Sequence, residues 1–233
     1  GKPSVHKKYG VNTTILSGDV MLSFVYQYLS ETGSEKFVEL FPVFNDNLLK
    51  VFEGQQIDMN FETRNDVSEA EYLKMIEYKT SVLIGAALLS GAIMAEASQK
   101  NRELIYRFGL NLGLSFQIKD DYLDAFGDAK KVGKKTGGDI IQNKKTYLLV
   151  SALNAANTNQ RSEMIALLNE KNETKKIEHT LQLFDDLKIK SKAEYKMQEL
   201  FEAALDAMKK IDVPAEKKKP LLLLANEICQ REF

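Results

Sequence analysis

The sequence has a single cysteine, Cys229, and two histidines, His6 and His179, in 233 residues. One cysteine excludes an intrachain disulfide and any cysteine-held metal cluster, and suits a reducing compartment such as the cytoplasm. The two histidines give no zinc-binding spacing, and neither lies in a segment that reads as a nucleophile–base pair. An excess of one charge is also missing: 32 basic residues face 33 acidic ones. No basic stripe interleaved with aromatics occurs, so nucleic acid is not the expected partner. Sustained strand-like alternation and internal repeats are absent. The opening residues carry no signal-peptide pattern. The longest apolar run, residues 81–95 (SVLIGAALLSGAIMA), falls short of the roughly 20 residues a membrane span needs and is rich in small side chains. It reads as a buried, closely packed helix. A phosphate-binding GxxxxGK[ST] loop is missing too, because Gly133-Lys134-Lys135-Thr136 lacks the upstream glycine and the preceding strand. Phosphate would have to be held by side chains and a bridging metal.

What is present is an ordinary soluble composition, 44% hydrophobic and 28% charged, on a chain long enough to bury a large core. Nearly all of it has helical periodicity, and nothing marks a domain boundary, so the expectation is a single all-α domain over residues 1–233. Residues 11–30 carry apolar side chains at helical spacing and stop at Gly33. Ser34 can cap a helix running towards Glu62, which Pro42 should kink or truly begin. Ser68 and Glu71 form a capping-box pattern for a helix over 69–98. Further helices are expected over 101–126, stopped by Gly127, and over 144–156, broken by Thr158-Asn159-Gln160. Amphipathic helices come next, over 161–169, 175–187, 191–211 and 215–231. The opening Gly1-Lys2-Pro3 shows no helix start. The lysine-rich last third has the pattern of an outer layer with a solvated face.

Residues 116–145, FQIKDDYLDAFGDAKKVGKKTGGDIIQNKK, concentrate the chemistry. On a helix, Gln117, Asp120, Asp121 and Asp124 share one arc of roughly 100°. Three carboxylates with no base among them would repel one another and raise each other's pKa. A hard divalent cation such as Mg²⁺ relieves this, because it takes oxygen ligands and commonly bridges carboxylates to substrate phosphates. A glycine-rich basic loop comes after them, with Lys130, Lys131, Lys134 and Lys135, and then Lys144 and Lys145. The alternative is a solvated acidic face. Lys79 lies where a polar helix becomes apolar, where it can snorkel or point into a cleft as a phosphate-binding charge. Gly54 sits mid-helix at a cost of about 1 kcal/mol against alanine, and permits close approach of a backbone or ligand.

Taken together, GKPSVHKKYG, SGDVML, GQQID, YKTS, FQIKDDYLD, GKKTGGD and NKKT, in this order and spacing, resemble the trans-isoprenyl diphosphate synthases. The resemblance covers residues 1–146 by motif. It implies an all-α bundle around a deep central cleft, acting as a homodimer in the cytoplasm. It further implies condensation of isopentenyl diphosphate with an allylic diphosphate to a prenyl diphosphate of about farnesyl to geranylgeranyl length, with two or three Mg²⁺ ions bound alongside the diphosphate. By that resemblance Asp120, Asp121, Asp124 and Asp139 would hold metal. Lys79, Lys134 and Lys144 would hold the allylic diphosphate, and Gln55 and Asp58 would line the cleft. Lys79, Thr80 and Gln117 would face the allylic cation. The family's first aspartate-rich motif lies upstream of a Gly-Lys-Pro like Gly1-Lys2-Pro3. The expectation is therefore a chain truncated at its N-terminus and inactive alone. The competing expectation is a non-catalytic subunit tuning an active synthase. A terpene-cyclase metal motif is mimicked by residues 45–53, but Leu49 replaces the hydroxyl ligand there.

Overall fold

The computed structural model describes residues 2–127 and 136–230. Every regular element among them is helical, as the periodicity expects. The chain divides into two compact units, Gly1–Asn45 and Asp46–Phe233.

In the first unit, α1 (Val5–Tyr9) and α2 (Val11–Ser30) are separated by Gly10 at φ +84°. That left-handed conformation costs glycine least, so the break is written at this position. The short α1 was not legible from the sequence. It forms because the carbonyl of Ser4, in extended conformation, accepts from the amides of Lys7 and Lys8. Gly33, at φ +88°, separates α2 from α3 (Ser34–Phe61), which spans the division between the units. Pro42 lies inside α3 and does not mark its start. The Tyr26 ring packs on Phe41 and Phe44, and its hydroxyl donates to Asn45 at 3.2 Å.

In the second unit, α4 (Glu69–Ile76), a π-helical turn (Glu77–Ser81) and α5 (Val82–Met94) succeed one another without a gap. The expected capping box starts α4: Ser68 accepts from the Glu71 amide, and Glu71 accepts from the Ser68 amide. Helix α6 (Gln99–Phe126) is the hub, packing against α4, α5 and the π turn, and against most of the helices after it. These are α7 (Gly138–Ile141), α8 (Tyr147–Ala155), α9 (Thr158–Leu168), α10 (Glu173–Asp186), α11 (Ile189–Lys210) and α12 (Ala215–Gln230). Around the C-terminal half of α6, Ile118 and Ala125 join Tyr72, Met75, Phe184 and all of α8 from Tyr147 to Val150 in one core. A second cluster gathers Leu104, Phe108 and Leu112 of α6 with Ala204, Met208 and Ala225. Burying each large apolar side chain contributes roughly 1.5–3 kcal/mol.

The expectations for residues 144–160 and for the burial of residues 81–95 need correction. Helix α8 begins at Tyr147 because Thr146 caps it, accepting from the Leu149 amide, so Lys144 and Lys145 lie in the preceding turn. Thr158-Asn159-Gln160 opens α9 instead of breaking a helix, since Asn157 and Gln160 make a second capping box. The expectation of a wholly buried helix at residues 81–95 holds for one face only. Gly85 and Gly109 bring α5 and α6 together: a Cβ on Gly109 would lie 2.7 Å from the Gly85 Cα. The opposite face, with Leu83 at 50% and Met94 at 49% exposure, is open. The 26-residue run Glu69–Met94 is long and apolar enough to cross a membrane by length and composition, though Glu69, Glu71, Lys74, Glu77 and Lys79 punctuate its first half.

Candidate active site

The site is built on the last turns of α6. Asp121 occupies a core position between Ile118 and Ala125 and is only 1% exposed. Burying a carboxylate is costly, and hydrogen bonds to its oxygens offset part of that cost. Here Oδ2 accepts both the Tyr72 hydroxyl and the Tyr147 amide, the latter at 2.8 Å. Oδ1 is buried without a hydrogen-bond donor, and the Lys144 Nζ stands 3.9 Å from it. Burial pushes the Asp121 pKa up to about 6, against the opposing pull of Tyr72, the Tyr147 amide and Lys144. The three aspartates of the motif therefore have three environments. Asp120 is exposed, Asp121 is in the core, and Asp124 is half-buried with a pKa raised by desolvation and by the neighbouring Asp139.

Asp124 clasps the next element. Its Oδ2 accepts from the Asp139 amide at 2.8 Å, and its carbonyl accepts from the Gly137 amide at 2.6 Å. Gly137 has φ +84° with the Ile177 side chain against it, so a larger residue would be strained in the turn that delivers Asp139. The Lys144 Nζ donates to Asp139 Oδ2 at 3.0 Å. Burial would lower the Lys144 pKa, but Asp121, Asp139 and Asp120 outweigh it and raise the value. From behind, the buried Lys176 donates to the carbonyls of Ile141 and Leu168, each at 3.2 Å, and Asn143 donates to Leu168 at 2.9 Å. Lys134, with Lys130, Lys131 and Lys135, lies outside the described residues.

The other end of the site is the π turn. Its i→i+5 bonding places Lys79 and Thr80 on a widened turn, a feature that recurs at functional sites. Two glycines press on it. A Cβ on Gly54 of α3 would collide with the Lys79 backbone, lying 2.8 Å from its Cα, and one on Gly113 of α6 would lie 2.8 Å from the Ser81 Cα. The Lys79 Nζ donates to Asp58 Oδ2 at 2.6 Å, one helical turn along α3 from Gly54. Thr80 donates to Gln117 Oε1 at 3.4 Å. Gln117 precedes Asp121 by one turn of α6, so that helix joins the two ends. Gln55 is exposed.

Among the described residues no three His, Cys, Asp or Glu side chains converge as a self-sufficient metal site. The oxygens present nevertheless fit Mg²⁺ arriving with a phosphate: a buried oxygen on Asp121 without a hydrogen-bond donor, and the exposed carboxylate of Asp120, the preceding residue. Sequence reasoning missed Tyr72, Tyr147, Asn143 and Lys176. Their roles depend on contacts between distant segments, and only the helical periodicity that buries Tyr72 could have hinted at one of them.

An all-helical fold whose central helix carries Gln117, Asp120, Asp121 and Asp124, with Lys79 and Lys144 brought to the two ends of the site by other elements, can be compared with known proteins. The family profile described as polyprenyl synthetase matches residues 1–185, and the chain belongs to that family. A short chain isoprenyl diphosphate synthase of Methanothermobacter thermautotrophicus is 34% identical over 235 residues, covering 100% of this chain and 71% of the relative. A geranylgeranyl diphosphate synthase of Sulfolobus acidocaldarius is 37% identical over 179 residues, covering 75% of this chain and 54% of the relative. Over several such relatives the match spans about half their length. Among solved structures, a geranylgeranyl pyrophosphate synthase superposes with TM-score 0.92 at 40% identity, covering 100% of this chain and 72% of that one. The geranylgeranyl pyrophosphate synthetase of Pyrococcus horikoshii gives 0.94 at 29%, covering 100% and 71%.

Proposed function

We propose that the protein condenses isopentenyl diphosphate with an allylic diphosphate to a prenyl diphosphate of farnesyl to geranylgeranyl length, as a cytoplasmic homodimer. The observation that carries the reading is the buried Oδ1 of Asp121, without a hydrogen-bond donor and facing Lys144, with Asp139 held beside them. Lys144, Lys79 and Lys134 bind the allylic diphosphate as point charges. Asp120, Asp121 and Asp139, with Asp124 holding Asp139 in place, would carry two or three Mg²⁺ ions. Those ions, when bound, would neutralise charge developing on the leaving diphosphate. The oxygens of Lys79, Thr80 and Gln117 face the allylic carbon as positive charge grows there, already placed before reaction. Asp58 releases Lys79 to the diphosphate or shares it, and Gln55 lines the approach. The exposed apolar stripe of α5 (Leu83, Ala87, Met94) supports burial against a second copy.

The test is expression from the complete reading frame, incubation with labelled isopentenyl diphosphate, an allylic diphosphate and Mg²⁺, and sizing of the extracted prenols. Elongation establishes the activity and gives the product length. Folded protein without elongation would make this a non-catalytic subunit.

A further inference from the structure

We infer that Tyr72 is a positioning residue that fixes which oxygen of Asp121 the site presents. The inference rests on the metal-and-diphosphate reading above. Tyr72, on the first turn of α4, is 2% exposed, and its ring packs 6.0 Å from that of Tyr147. Phenylalanine would fill the same space, so packing alone does not require the hydroxyl. That hydroxyl is spent on Asp121 Oδ2. The Tyr147 amide donates to the same oxygen from the first residue of α8. Two donors from two helices saturate Oδ2 and prevent the carboxylate from turning about its last torsion. Oδ1 is thereby left buried, without a donor, and directed to the Lys144 side. A buried acceptor left unpaired is unfavourable and is satisfied when a cation or donor arrives. The Tyr147 arm is itself anchored. Its hydroxyl donates to Glu69 Oε2 at 3.5 Å, and Glu69 also takes the Lys192 ammonium of α11. The Tyr72 arm has no such redundancy, and one oxygen atom carries it. Without it, Oδ2 keeps a single donor and the two carboxylate oxygens become free to exchange roles.

The experiment uses the protein from its complete reading frame and tracks Mg²⁺-dependent binding of inorganic pyrophosphate by calorimetry, for wild type, Tyr72→Phe, Asp121→Asn and the double variant. Tyr72→Phe should need about ten-fold more Mg²⁺ for half-saturation, in the range found when a residue behind a metal ligand is removed. Its KM for isopentenyl diphosphate should stay within about two-fold, a split that general loosening of the fold would not produce. The double variant should bind no more weakly than Asp121→Asn, because Tyr72 then has no carboxylate to orient. That comparison also remains readable if Tyr72→Phe alone folds poorly, since the buried charge is removed together with its donor. An unchanged Mg²⁺ requirement in Tyr72→Phe while Asp121→Asn is weakened would overturn the inference and leave the site reading intact. An extra loss in the double variant would overturn it as well. Wild-type binding by Asp121→Asn would sink the site reading itself.

Discussion

The two ends of the site are held in place by opposite means. At the carboxylate end, position is set by side-chain hydrogen bonds inside the core: Asp121 between Tyr72 and the Tyr147 amide, Asp139 on Asp124, and Lys144 on Asp139. At the π turn, position is set by bare backbone pressed against glycine, and the Lys79–Asp58 pair is added on the wetter side of that contact. Hydrogen bonds to a buried charge are directional but costly to desolvate. Backbone contact costs no desolvated charge but tolerates no added atom. The first arrangement should fail chemically before it fails structurally, and the second the other way round.

The largest break should come at the exposed member of the carboxylate end. Asp120→Ala, in protein from the complete reading frame, is expected to lower turnover about a hundred-fold or more, as loss of a group stabilising developing charge does. Its melting temperature should stay near wild type, because Asp120 is exposed. Near-normal turnover would remove Asp120 from the site. Next comes the cost of keeping Asp121 in the core. Its carboxyl is pushed up to about 6 in the folded protein, so the native state binds this proton more tightly than the unfolded chain does. The contribution is intact below the ordinary carboxylate range and is lost as pH rises through about 6, a difference of about 3 kcal/mol for two pKa units. Asp121→Asn should therefore match or exceed wild-type stability near pH 7, with the gain vanishing at about pH 4, while activity is lost. Denaturant unfolding across that range checks it. A loss of stability near neutral pH would contradict the burial argument.

Smaller in energy but sharper for the comparison is Gly54→Ala, whose Cβ has nowhere to go but into the Lys79 backbone. About 1–3 kcal/mol of destabilisation is expected. Calorimetric melting that matches wild type would mean that the π turn yields easily. Asp58→Ala should be the mildest, below about 1 kcal/mol in denaturant titration, since its ion pair with Lys79 is partly exposed. A larger loss would show that the pair, more than the glycine, fixes this end.

Much of the architecture was legible wherever the signal is local. The limits of α2, the Ser68–Glu71 capping box and the stop at Gly127 are set by residues within a few positions of one another. The close backbone approach at Gly54 was legible as a possibility, though not its partner. Equal spacing around the helix made Asp120, Asp121 and Asp124 look alike. Only the packing of α4 and α8 onto α6 separates an exposed, a buried and a clasping carboxylate. Lys176 has the periodicity of a solvated lysine, and its burial depends on two helix ends that meet it from elsewhere in the chain. The π turn was not legible in the sequence, and the glycines pressed against it, Gly54 and Gly113, are far from it along the chain.

That turn also sets the phase of the helix on either side of it. A π turn holds one residue more than the α-helix would, and each residue rotates the remainder of the rod by about 100°. Deleting a single residue between Tyr78 and Ser81 would let the helix run regularly from Glu69 to Met94. It would also turn Gly85 away from Gly109 and swing the Leu83–Met94 stripe a quarter-circle around the axis. One inserted residue thus decides which side of α5 meets α6 and which side meets everything else.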